Sequence, residues 1–326
     1  MQNIINLQQQ ERGFHQVDTL AFKGTYVYKQ NGIEIGRSKN LITTNGRKVL
    51  LQYLSGIRNN WAADMCIGAI SSNPLVSDIE LNFETARVPV TLKTYKSATS
   101  VDPDFIIVRA TLPESLYANI YEIGLYPESK ETDVSNRNNK ILTDFSDLSN
   151  WTASISDIGQ NILNQGTVYI VDYSPQGSAS PRIGGFSVDI AQNTKYQNNN
   201  FGFNLLGYSD LDSLKLLVDN TAAGILTVTL GDTAGNSYTL SYTLQDNTDY
   251  QVLNCPFPAG QIFSNTINSI TITTDNTASA TIDAIKVSTT AELTDKDFLI
   301  SKSSLSTPIA KIYGVPLDIE YYVQIL

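Results

Sequence analysis

A mainly β protein is predicted: a discontinuous α+β outer domain, a β-sheet with one amphipathic helix, carrying an inserted β-sandwich of jelly-roll type. Three observations lead there. Within the 326 residues only Asn40 to Ile57 has a convincing helical period. Nearly everything else alternates like strand. Composition also changes abruptly near residue 145 and changes back near 290, while the two flanks read alike.

Between Phe145 and Thr290 stand 12 Asp, no Glu and only 4 basic residues, Arg182, Lys195, Lys215 and Lys286. The net charge of −10 and the pI near 4.6 therefore belong mostly to that segment. A protein of this sign does not bind a phosphate backbone, which needs clustered Lys and Arg, so no nucleic acid is expected. Hydrophobic residues make up 41% and charged residues 17%, enough to bury a core. No stretch approaches the roughly 20 apolar residues that span a bilayer, so membrane insertion is not expected. The opening MQNIINLQQQERG has no apolar run flanked by basic residues, and no Sec-type signal peptide is expected. Cys66 and Cys255 lie far apart without metal spacing and read as free thiols in a reducing cytoplasm.

Residues 1–19 are Gln- and Asn-rich and are expected to form an arm, mobile or ordered only by a neighbouring subunit. The sole histidine, His15, lies in it with no partner residue to complete a dyad. Ala21 to Lys29 alternates as a strand, Asn31-Gly32 is a two-residue hairpin signal, and Ile33 and Ile35 open the return strand. Thr44 or Asn45 is the expected N-cap of the helix, with Val49, Leu50, Tyr53, Leu54 and Ile57 on one broad apolar face and Gly56 as its stop. Met65–Ile70, Arg87–Tyr95, Phe105–Leu112, Ile120–Tyr126 and Lys140–Leu142 follow as strands, Pro89 marking an edge or bulge.

Inside the acidic segment, short alternating runs recur at Gly185–Ile190, Ser213–Val218, Ile225–Leu230, Ser237–Leu244, Ser269–Thr273 and Ala280–Val287. Turn clusters such as Asp232 to Asn236 and Asp246 to Asp249 separate them, the pattern of an all-β sandwich or jelly roll. After Thr290 the earlier style returns, with strands at Phe298–Leu305 and Ile319–Ile325. A closing strand this apolar must pair with a sheet. The economical organisation is an arm (1–19), a discontinuous domain (20–142 and 291–326) and an insertion (143–290) in one of its loops.

The outer segments resemble the tail-fibre, collar and baseplate-associated structural proteins of tailed bacteriophages. The resemblance is carried by Asn40-Leu41 followed by GRKVLLQYLSG, then CIGAISSNP, LNFETARVPV, IYEIGL and STPIAKIYGVPLDIEYYVQIL, in that order. It covers about half the chain and implies a virion protein, made in the host cytoplasm, that assembles as a trimer with other virion proteins. Capsid decoration or a head fibre would use the same architecture. The insertion resembles the jelly-roll carbohydrate-binding modules found beside glycoside hydrolases, through Asp144-Phe145 with Trp151, SLKLLVDNTAAGILTVTLGDTAGNSYT and ATIDAIKV. That resemblance implies structural calcium held by Asp147 and Asp283, with Asp144 beside them. The same residues also read as ordinary turn acids. No other cofactor is expected.

No phosphate-binding glycine loop, H-E-x-x-H or Cys/His pair is present, and one histidine excludes a zinc cage. No enzyme activity is expected, although a carbohydrate-active enzyme with an ancillary module is the competing class. Sugars can instead be held by stacking on rings. Trp151, Tyr208, Tyr238 and Tyr242 are the candidate platform, with Tyr169, Tyr173 and Tyr250 also available, and alternation puts Tyr238 and Tyr242 on one face. Core packing is the other reading of the same rings. Host-surface glycans, bound weakly and by many copies, are the expected partner.

Overall fold

The computed structural model describes residues 22–99, 104–114, 116–128, 140–143, 145, 150–153, 162–163, 171–172, 185–186, 188–190, 192–193, 195–220, 222–275, 279–289, 298–312 and 314–325. Expectations placed on residues 1–19, Asp144, Asp147, Tyr169 and Tyr173 lie outside them. The first segment contains β1 (Phe22–Gln30), β2 (Ile33–Lys39), β3 (Leu41–Ile42), α1 (Thr44–Leu54), β4 (Asp64–Gly68), β5 (Glu84–Lys96), β6 (Phe105–Leu112) and β7 (Leu116–Tyr126). The second contains β8 (Lys140–Thr143), β9 (Trp151–Ala153), β10 (Ile162–Leu163), β11 (Val171–Asp172), β12 (Gly185–Phe186), β13 (Val188–Ile190), β14 (Lys195–Asn198) and β15 (Phe203–Asn204). It continues through β16 (Asp212–Asn220), β17 (Gly224–Asp232), β18 (Ser237–Leu244), β19 (Asn247–Pro256), β20 (Thr266–Thr274) and β21 (Ala280–Thr289). The chain closes with β22 (Ser301–Lys311) and β23 (Leu317–Ile325). The protein is mainly β with one short helix among the described residues.

The flanks build one body. Its strands run β2-β1-β23-β6-β5-β4-β7-β22-β3, so β23 lies between β1 and β6, and β22 between β7 and β3. The path closes on itself because β2 and β3 are halves of one run: the first bonds β1, the second bonds β22. Opposite them, β5 turns a second corner. Its first half bonds β4, its second bonds β6, and a bulge between Val90 and Leu92, next to Pro89, makes the bend. The closing seam is sewn by side chains: Tyr26 Oη and Ser301 Oγ share a bond of 2.7 Å, and Ser303 Oγ donates to Lys39 O at 2.9 Å. Inside sit Tyr26, Met65, Ile120, Leu125, Ile319 and Tyr321, none more than marginally exposed. The hairpin from β1 to β2 turns on Asn31 and Gly32, with φ of 51° and 77°, as that dipeptide predicts.

The helix plugs this barrel, with two corrections to its expected form. Its cap is Thr43, not Thr44 or Asn45: Thr43 Oγ accepts from Gly46 N at 2.9 Å while Thr43 N donates to Ile300 O at 2.9 Å. Pairing with the returning chain thus fixes where the helix starts. Only Gly46, Val49 and Leu50 of the helix are buried, whereas Tyr53, Leu54 and Ile57 are 39%, 51% and 74% exposed. The first turn is seated on Ile300, so the last turn projects beyond the barrel before Gly56, at φ 74°, ends it.

Most of the acidic segment forms two facing sheets, β13-β21-β16-β19 with β8 on β21, and β18-β17-β20-β14-β9 with β15 on β20, while β10 pairs β12 and β11 bonds β7 of the barrel. In β18, alternation is complete: Tyr238, Leu240, Tyr242 and Leu244 point inward and Ser237, Thr239, Ser241 and Thr243 outward. Lys140–Leu142, expected to close the first domain, instead lies in β8, which bonds β21 and places Leu142 in the sandwich core. The two bodies also touch. Ala69 and Phe83, from the barrel segment between β4 and β5, are fully buried in the sandwich's own hydrophobic cluster. Lys286 of β21 lies 4.2 Å from the Phe83 ring centre and donates to Glu84 O at 3.1 Å.

Candidate functional site

Trp151, Tyr208, Tyr238 and Tyr242, expected to form a sugar platform, are core residues, exposed by 9%, 2%, 9% and 4%. Trp151 stacks on Tyr196 at 4.7 Å and 16°. Tyr238 sits edge-on to Phe263 and its hydroxyl donates a hydrogen bond to Asp232 Oδ2 at 2.9 Å. Tyr242 donates to Leu214 O at 3.2 Å, and burial pushes its phenol well above the usual range. Tyr238 and Tyr242 do share a face, but it is the inner one, and a covered ring has no surface for a pyranose to stack on. The outer side of the same sheet carries Thr227, Thr229, Thr239, Ser241, Thr271 and Thr273, a solvated hydroxyl face.

Of the three carboxylates expected to hold calcium, only Asp283 lies in the described part of the chain. Asp283 is fully buried in β21, the unmatched residue where Leu217 pairs with Ala284 and Val218 with Ile282. Asp144 and Asp147 lie outside the described residues. Among those residues no three His, Cys, Asp or Glu side chains are grouped to hold a metal ion. Asp232, another acid of the segment, is satisfied by its own hairpin. Asn236 N donates to it at 2.8 Å, Asn236 Nδ2 at 2.8 Å and Tyr238 Oη at 2.9 Å. Led by the Asn236 side chain, these donors hold its carboxyl far below the ordinary value.

Polar chemistry gathers instead where the bodies meet. An open cleft of about 360 Å³ is walled by the barrel segment from Ser72 to Asn82, by Lys302 of β22, and by Lys215 of β16 on the sandwich side. Lys302 lies 3.1 Å from Glu122 and 3.2 Å from Asp78, and donates to Ser72 Oγ at 2.9 Å. Glu122, buried in β7 just behind the cleft, accepts from Ser72 Oγ at 2.5 Å and Asn82 N at 2.8 Å. Its burial raises the carboxyl pKa; Lys302 and these donors pull it back only partly. Across the cleft, Lys215 pairs with Glu80 Oε1. The other oxygen, Glu80 Oε2, is buried and has no hydrogen-bond partner. Leu75 and Ile79 supply apolar wall between the charges. Fixed donors and acceptors alternating with aliphatic surface suit the recognition of hydroxyl groups.

Sequence reading passed over these residues, yet a signal was present. Glu122 interrupts IYEIGL and Lys215 interrupts SLKLLV, each the one charge in its run, and Lys286 follows Asp283 in DAIKV. Such a charge is buried only with a partner.

No family model and no curated protein matches the chain. Solved structures that resemble it include the family 11 carbohydrate-binding module from Clostridium thermocellum in complex with a β-1,3-1,4-mixed-linked tetrasaccharide, at 14% identity and TM-score 0.31 over 48% of this chain and 98% of that one. Another is the module TmCBM61 in complex with β-1,4-galactotriose, at 9% identity and TM-score 0.28 over 44% of this chain and 90% of that one. A third is the enzymatically active domain of tailspike protein 4 of bacteriophage CBA120, at 12% identity and TM-score 0.29 over 47% of this chain and 20% of that one.

Proposed function

We propose that this chain is a non-enzymatic structural component of a tailed-phage particle, placed on the tail or baseplate, whose sandwich makes weak, multivalent contact with host-surface glycans. The observation that carries the reading is the way the sandwich is mounted. Between Tyr126 of β7 and Ser301 of β22 the chain builds the sandwich; on the way β11 bonds β7 of the barrel, and the sandwich is braced on the β4–β5 segment through Phe83, Lys286 and Lys215. Such a mount displays a binding body at a fixed angle on a platform, which many copies exploit when each contact is weak. The platform carries its own surface for assembly: Leu51 and Leu54, neighbours at helical spacing, and Ile57 beyond them are 52%, 51% and 74% exposed. There we place the contact between subunits of the trimer or with other virion proteins. In the cleft, Asp78 and Glu122 share one ammonium and Glu80 has its own, so none of these carboxylates stands as a free base for hydrolysis.

The test is a glycan array probed with the full chain clustered on beads. Binding to a defined set of glycans, strengthening with bead density, is the expected result. Absence of signal at every density would reduce the sandwich to a spacer and remove the glycan part of the reading.

A further inference from the structure

We infer that the cleft between barrel and sandwich binds a single uncharged sugar ring; the inference rests on the glycan-contact reading and gives it a location. Both bodies build the site. Lys215 comes from the sandwich, while Ser72 to Asn82 and Lys302 come from the barrel, and the buried contacts of Phe83 and Lys286 hold the two walls together before any ligand arrives. A preformed site loses little conformational freedom on binding.

Charge narrows the ligand class. Each ammonium in the cleft already faces a carboxylate, Lys215 facing Glu80 and Lys302 facing Asp78 and Glu122. A phosphate, sulfate or carboxylate ligand would meet a net negative surround, and a cation would have to displace a lysine. A neutral, hydroxyl-rich molecule meets neither obstacle. The Glu80 carboxylate and the Lys215 ammonium that it faces set an acceptor beside a donor, which matches two vicinal hydroxyls, while Leu75 and Ile79 lie along the ring's C–H face. The volume of about 360 Å³ is near the lower end of the roughly 300–1,000 Å³ of small-molecule clefts, room for one ring and not for a chain of them.

Saturation-transfer NMR on the full chain tests this with the methyl glycosides of glucose, galactose, mannose and N-acetylglucosamine as probes. Three variants accompany the wild type: Glu80→Gln removes the charged acceptor, Ser77→Trp fills the cleft without touching an ion pair, and Thr239→Ala alters the remote outer sheet face. We expect transfer to at least one glycoside, an affinity loss of about tenfold or more in E80Q, no transfer in S77W, and wild-type behaviour in T239A. Thermal melts show whether each variant is folded. Equal transfer to wild type and folded S77W would overturn the cleft as the site while leaving glycan contact standing elsewhere. Transfer to no glycoside by the wild type would also overturn it; binding on the array would then show the broader reading surviving alone.

Discussion

Lys311 is a fully buried lysine whose ammonium donates to two backbone carbonyls, Leu116 O at 2.7 Å and Ile312 O at 2.8 Å. Burial pushes its pKa down to about 8, against about 10.4 in an unfolded chain. Between those values the unfolded chain holds the proton more tightly than the native one. The contribution of this residue to stability therefore rises as pH climbs from about 8 to about 10.4, and below about 8 its full penalty is present. Chemical denaturation at intervals across that range should show wild type gaining on Lys311→Met as pH rises. A constant difference between the two would mean that Lys311 keeps its ordinary pKa. The opposite balance holds at Glu320. Burial alone would raise its pKa, but Lys29 at 2.6 Å, Tyr322 and Arg109 outweigh it and bring the carboxyl below its ordinary value.

At the scale of elements, the helix is placed by one contact. A Cβ on Gly46 would run into the carbonyl oxygen of Ile300, which is backbone and cannot swing aside. Gly46→Ala should cost about 1–3 kcal/mol in denaturant unfolding, as overpacking does; a neutral or stabilising effect would show that the helix is not seated there. Elements whose pattern is purely local were legible. Phe105–Leu112 and Ser237–Leu244 end where alternation ends. The sequence predicts a turn at Asp246 to Asp249, but β19 already begins at Asn247; it is an edge strand, half-exposed and bounded by Pro256, so its sequence need not alternate strictly. The tyrosines mark a different limit. A period of 2 says that Tyr238 and Tyr242 share a side, not whether that side meets water or Phe263. The cleft was hidden for another reason: Lys215 and Glu80 are separated by 135 residues, and only the packing of one body on the other brings them together.

In the molecule as a whole, barrel and sandwich act as one unit. A tethered module would melt independently and present its ligands at no fixed angle. Here Phe83, rooted in the barrel, fills the sandwich core beneath Lys286, and truncating it should cost about 3–5 kcal/mol, the usual loss for a buried aromatic. Part of that loss falls on the coupling itself, because the cavity opens between the bodies. The closed path of strands and the facing sheets each retain a hydrophobic cluster of their own, so each has the means to unfold separately once uncoupled. Scanning calorimetry of the full chain beside Phe83→Ala is the direct measurement. A single cooperative transition is expected for the wild type, separating into two in the variant. Two independent transitions in the wild type, or one unsplit and barely shifted transition in the variant, would contradict it.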